Sequence, residues 1–248
     1  MIEELGGIVR YDEKIPERPV VKVFFNGLDI TDANLVLIKG LISLEELDLR
    51  DTHVGDPGLE HLKGLGSIQR LYLDNTKITD AGLEHLKGLS NLQWLSLVNT
   101  NVTDAGLEHL KEMRNLQWLN LGYTNVTDVG LEHLKGLTNL GGLRLYGTKI
   151  TDAGLMHLKG LKSLGELNLS RTQVGDSGLE HLKGLTNLRQ LDLIRTQVSD
   201  LGIKHLKGMT SLMVVKLPST RVTDAGGTEL KKALPNCKVH ARSSHSSY

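Results

Sequence analysis

Cysteine is almost absent: Cys237 stands alone in 248 residues, so no internal disulfide can form. A reducing compartment fits this, and the cytoplasm is the expected location. Long apolar runs are also missing, which excludes a membrane-spanning helix, and the opening "MIEELGGIVRYDEK" is too acidic and too poor in apolar residues to read as a signal peptide. Net charge is lacking as well, with 29 Lys and Arg against 29 Asp and Glu. A chain of zero net charge has no general attraction for nucleic acid or an anionic bilayer, and neither is expected as a partner. H-E-x-x-H, C-x-x-C, G-x-S-x-G and G-x-x-x-x-G-K-[ST] do not occur. With no nucleophile, base or metal set brought together by any motif, no catalytic residue, metal or cofactor is expected.

What the chain does contain is a period. His61, His85, His109, His133, His157, His181 and His205 are 24 residues apart. Aspartates from Asp32 to Asp224 and threonines from Thr52 to Thr220 keep the same step. The averaged phrase is L-x-x-L-x-L-x-x-T-x-V-T-D-A-G-L-E-H-L-K-G-L-x-N. In "LQWLSL", Leu95 and Leu97 alternate with Trp94 and Ser96, so a strand here has a leucine face and an outward face. In "TDAGLEHLKGL", Leu83, Leu86 and Leu89 step by three along one side of a short helix. Thr79 or Asp80 can cap that helix and Gly88 can end it in a left-handed conformation. Glu112 replaces that glycine in one repeat, and its helix is expected to end differently. Neither element buries its leucines alone, so neighbouring repeats must share one core.

The expected fold is α/β: a leucine-rich repeat solenoid shaped as a horseshoe, with a parallel sheet on the concave face and short helices on the convex face. The threonines sit at the turn after the strand, where their hydroxyls can satisfy turn backbone groups. Capping explains the aspartates better than metal binding does, and a residue type repeated seven times, as histidine is, marks a packing role. Residues 1–19 read as an N-terminal cap, 20–241 as the repeat domain and 242–248 as a disordered tail. Within that domain, the phrase starting at Val20 has Leu28 in the threonine column and Leu37 in the histidine column, as an edge repeat does.

These units resemble those of bacterial leucine-rich repeat proteins built from T-D-x-G-L-x-H-L-K-G-L, similar in layout to the ribonuclease-inhibitor and F-box-associated cysteine-containing classes. The resemblance runs from about Val20 to "ALPNCKV". Threonine stands where the cysteine-containing class has cysteine, and no F-box-like segment precedes the repeats, so an adaptor role in ubiquitin ligation is not carried over. What the resemblance implies is a protein-interaction scaffold that binds on its concave sheet.

Outward strand positions are where the repeats vary. Both tryptophans, Trp94 and Trp118, fall there at equivalent positions, side by side at the roughly 4.8 Å spacing of neighbouring strands. Arg70 precedes them in the row, and Tyr72, Asn120, Tyr123, Arg144 and Tyr146 are placed around it. Arg, Tyr and Trp dominate interface energies. The expected function is therefore a non-enzymatic scaffold, a monomer, that takes a protein or peptide on these residues. Carbohydrate binding by the paired indoles and a purely structural spacer are the alternatives.

Overall fold

The computed structural model describes residues 1–241; the expected tail, 242–248, lies outside the described residues. The chain divides into two units, residues 1–125 and 126–248.

In the first unit six strands follow one another in chain order: β1 (Ile8–Tyr11), β2 (Val20–Phe24), β3 (Glu46–Asp48), β4 (Arg70–Tyr72), β5 (Trp94–Ser96) and β6 (Trp118–Asn120). Strands β2 to β6 are parallel and in register at the repeat spacing, with Leu47, Leu71, Leu95 and Leu119 aligned. β1 runs antiparallel to β2. The residues before it, a 3-10 turn at Glu3–Leu5, bring Ile2 and the Phe25 ring so close to Gly7 that any side chain there would collide with both. The second unit holds β7 (Gly142–Arg144), β8 (Glu166–Asn168), β9 (Gln190–Asp192), β10 (Val214–Lys216) and β11 (Lys238–His240), all parallel.

The leucine pattern is buried as expected. Leu83, Leu86, Leu95 and Leu97 are fully inaccessible, as are their equivalents in neighbouring repeats. Most of the helices, however, are partly or wholly 3-10, whereas Asp200–Leu206 and Asp224–Ala233 are α-helical throughout. Asp80–Glu84 is one α-turn that continues as a 3-10 helix over His85–Gly88, and Gly154–Leu158 and Gly178–Leu182 are 3-10 throughout. The leucine step explains this, since a three-residue period keeps side chains aligned on a 3-10 helix and drifts on an α-helix. Among the described residues no helix is long and apolar enough to cross a membrane.

The threonine column does what its position suggests. Each hydroxyl donates back to the carbonyl three residues earlier, from Thr52 to Leu49 (2.7 Å), Thr76 to Leu73 (2.6 Å) and Thr196 to Leu193 (2.7 Å), and these threonines are buried. The aspartate column is different from the reading given above. Each carboxylate serves the next repeat instead of capping its own helix. Asp56 accepts from the backbone N–H and hydroxyl of Thr79 (2.8 and 2.5 Å), and Asp80 does the same with Thr103 (2.7 and 2.6 Å). In the second unit Asp128 holds Thr151, Asp176 holds Ser199 and Asp200 holds Thr223 in the same way. The hydroxyl so held is the one that caps the helix, as Thr79 accepts from Ala81 N. Each cap is thereby tied to the repeat before it.

This lock also explains the glycine two residues after the aspartate in the following repeat, which the aspartate crowds. A Cβ at Gly178 or Gly202 would lie 2.5 Å from Oδ1 of Asp152 or Asp176. The other glycine column is misread too. Left-handed backbone occurs there at Gly40 and Gly64 (φ 91 and 89), but Gly88 is not left-handed. At Lys111, Lys135 and Lys207 the chain stays in the right-handed helical region, so the following residue needs no special conformation. Glu112 accordingly fits, and its helix, Glu108–Leu110, ends as Glu132–Leu134 does.

Two alanine substitutions in one repeat separate these roles. Gly202→Ala is expected to lower stability by roughly 1–3 kcal/mol in urea unfolding, because the new methyl collides with a carboxylate held on three donors. Gly208→Ala meets nothing within 4 Å and has no positive φ. Its stability should be unchanged or higher by up to about 1 kcal/mol.

Candidate functional site on the sheet face

Parallel in-register strands turn sequence columns into rows across the sheet. In the first unit one outward row runs Lys22, Glu46, Arg70, Trp94, Trp118 and the next runs Phe24, Asp48, Tyr72, Ser96, Asn120. The two indoles stack face to face, with ring centroids 4.5 Å apart and planes 4° from parallel. Both are half-buried, and the Nε1 of Trp118 is itself buried. Tyr72 closes on the free side of Trp94 at 6.3 Å, tilted by 48°. The Arg50 guanidinium lies over the Tyr72 ring at 5.1 Å.

Arg50 is held there by Asp48, whose carboxylate takes Nε at 2.9 Å and Nη2 at 2.5 Å. That hydrogen bond raises the guanidinium's pKa above its ordinary value. The planes Arg50, Tyr72, Trp94 and Trp118 therefore form one packed series that ends on a buried acid. In the other row Glu46, only 13% exposed, sits between Lys22 (2.8 Å) and Arg70 (3.5 Å).

Asp74 completes the floor beside the indoles. It accepts from Val98 N at 2.9 Å and from the Ser96 hydroxyl. Burial pushes its pKa up, and the two hydrogen bonds only partly offset that. On other strands the matching backbone N–H is satisfied from within the repeat: Arg50 N by Asp48, Ser170 N by Asn168 and Ile194 N by Asp192. Serine at position 96 is too short for this, and Asp74 reaches across from the preceding repeat instead.

The expected site residues divide accordingly. Arg70, Tyr72, Trp94 and Trp118 share the face just described. Asn120 must be corrected: it is 8% exposed, and its side-chain oxygen accepts from Gly122 N at 3.1 Å, so it is a buried residue that stabilises the turn and not an exposed contact. Tyr123 is 46% exposed and left-handed (φ 56) at the turn after β6. Arg144 and Tyr146 belong to the second unit, where Arg144 pairs with Glu166 (Nε to Oε1, 2.9 Å) and Tyr146 is half-buried. Sequence reasoning did not select Arg50 or Asp74. The signal was present, since each lies one repeat from its partner on the outward face, but their contacts run diagonally between rows. Among the described residues no group of three or more His, Cys, Asp or Glu could hold a metal ion.

Comparison with known proteins agrees with this architecture. The leucine rich repeat model matches residues 42–102 and 90–150, and a second leucine rich repeat model matches residues 160–183. This chain belongs to the leucine-rich repeat family. Among solved structures it is similar to internalin C2 of Listeria monocytogenes, with 24% identity and a TM-score of 0.64 over 90% of this chain and 81% of that one. It is also similar to a leucine-rich repeat protein of Leptospira interrogans, with 23% identity and a TM-score of 0.60 over 80% of this chain. There the match spans 55% of the other protein's length. No curated protein sequence matches.

Asp74 offers a test of this floor by pH. Because its pKa is raised in the folded protein, ionisation is a burden on stability above that raised value and none below the ordinary carboxylate range. Asp74→Asn keeps an acceptor and removes the charge, so at pH 7 it should melt at or above the wild type, with the difference shrinking as pH falls towards 4. Asp74→Ala strands two donors and should melt lower by roughly 1–3 kcal/mol in stability.

Proposed function

We propose that this chain is a non-enzymatic recognition module that binds a protein or peptide on the sheet face of its first unit, with Trp94 and Trp118 as the anchor. Leucine-rich repeat proteins serve in general as binding scaffolds, and the observation that locates the function here is the stacked, half-exposed indole pair. Trp, Tyr and Arg are the residue types that carry most interface energy, and here Tyr72, Arg50 and Arg70 border the pair. The series is already ordered by packing and by the Asp48 ion pair, so a partner immobilises few side chains on arrival.

The geometry speaks against carbohydrate. Sugars stack on open ring faces, whereas the inner faces of these indoles cover each other and Tyr72 closes on Trp94's other side. A half-exposed aromatic pair with its inner faces covered suits the apolar side chains of a peptide. The spacer alternative leaves the exposed pair with only cross-strand stabilisation to account for it, worth about 0.5–1.5 kcal/mol.

Both tryptophans of the chain lie in the site, so its own fluorescence reports occupancy. Peptides selected from a display library on the wild type should shift or quench that emission on binding. Trp94→Ala with Trp118→Ala should weaken those peptides by about 30-fold or more, equivalent to 2 kcal/mol or above at a hot spot. The fold should survive, because the leucine core beneath is untouched. Selected peptides that bind the double variant as well as the wild type would place the site elsewhere.

A further inference from the structure

Overall neutrality conceals a segregation of charge. Of the 29 Lys and Arg, 12 lie in residues 1–125 and 17 in residues 126–248; of the 29 Asp and Glu, 19 lie in the first unit and 10 in the second. The units carry formal charges of −7 and +7. Zero net charge therefore does not mean the absence of a local field.

The contrast is sharpest in one column, the turn residue just after each strand. Its backbone is left-handed at Asp51, Asn75 and Asn99 in the first unit and at Arg171, Arg195 and Ser219 in the second (φ 54 to 60). At Asp51, Asn75 and Asn99 the side chains suit that conformation and one another, whereas Tyr123, next in the column, takes it without that advantage. Asn and Asp are the non-glycine residues that tolerate it best. Asn75 Nδ2 donates to Asp51 (2.7 Å) and Asn99 Nδ2 to Asn75 (2.8 Å), so the column is a continuous ladder.

In the second unit the same two positions hold arginine. Arginine gains nothing locally from a left-handed backbone, and two guanidiniums one repeat apart, at roughly 5 Å between backbones, repel each other. Both are exposed, and although each backbone N–H is bonded to the next repeat, neither guanidinium has an ion-pair or hydrogen-bond partner among the described residues. The carboxylates of the neighbouring repeats are committed. Glu166 pairs with Arg144, Asp192 with Lys216, and Asp152, Asp176 and Asp200 hold the next repeat's cap. Two residues further along, the adjoining column reads Lys149, Gln173, Gln197, Arg221, all exposed. Strain and repulsion at adjacent repeats, with no internal compensation, point to a ligand outside the chain.

We propose that this turn edge of the second unit, built on Arg171 and Arg195 and flanked by Lys149 and Arg221, is a second binding surface that takes an acidic segment of a partner protein. Charge complementarity and shape select that partner. The cations form a band two columns wide, which suits one extended acidic strand and is too narrow for a duplex. Arginine forks and glutamine amides both donate to carboxylates. Within the second unit the two columns contain no aromatic side chain on which the bases of single-stranded nucleic acid could stack, and no apolar side chain to enter a bilayer.

The test uses the whole chain and a dye-labelled deca-glutamate peptide, followed by fluorescence anisotropy. Binding is expected at about 50 mM salt and should weaken steeply by about 300 mM. Arg171→Glu with Arg195→Glu should lose about tenfold in affinity or more. Lys231→Glu with Lys232→Glu makes the same change in net charge on an exposed helix end and should alter affinity less than about twofold. Arg171→Gly with Arg195→Gly should lose binding while melting no lower than the wild type, since glycine suits the backbone there. The Trp94→Ala, Trp118→Ala variant should bind deca-glutamate normally, which keeps this surface separate from the indole site. Equal losses in the two charge-reversed variants would reduce the effect to bulk charge and overturn the proposal. So would tighter binding of a ten-nucleotide single strand or of phosphatidylserine vesicles than of the peptide.

Discussion

The aspartate that reaches into the next repeat is the constraint on which the rest depends. Its two oxygens fix the backbone N–H and the capping hydroxyl of the following helix, and its closeness forces glycine inside that helix, as Asp56 does at Gly82. A charge-assisted hydrogen bond is worth more than a neutral one, and here each repeat makes two with its neighbour. Leucine burial supplies the larger energy, but it is indifferent to register at the level of a fraction of a turn. The carboxylate sets that register, and the three-residue strands inherit it. Strands so short cannot align themselves.

Rows on the sheet face follow from that alignment. The indole stack forms because Trp94 and Trp118 are brought opposite each other on parallel neighbours, and the Arg50 to Trp118 series forms because the same offset repeats diagonally. The same regularity produces the arginine pair of the second unit. One mechanical rule thus generates two surfaces of opposite character, one aromatic and packed, the other cationic and strained.

Much of this was legible in the sequence, and the parts that were not share a cause. Period and alternation identify which positions are fixed and which face they take, so leucine burial, the threonine ladder and the pairing of the tryptophans follow directly. They do not say which neighbour a fixed polar residue serves. Asp80 looks like a cap for its own helix because the helix follows it; its partner, Thr103, is 23 residues away. Gly88 and Gly202 look equivalent as helix punctuation, yet only the second is sterically required. Asn120 read as an exposed contact because its column faces outward, but a short amide can fold back on its own turn. Left-handed backbone at Arg171 and Arg195 leaves no mark in composition at all.

The reversed direction of β1 has a consequence for how such a molecule could lengthen. Within each unit every other junction has the hydrogen-bond pattern of a parallel neighbour, which a further 24-residue phrase could accept. β1 converts that edge to the antiparallel pattern, and Ile2 and Phe25 fill the space another leucine layer would need. In the vocabulary of polymer chemistry, this edge has been quenched: a further parallel phrase cannot pair with β2 there, because β1 already occupies its outer side.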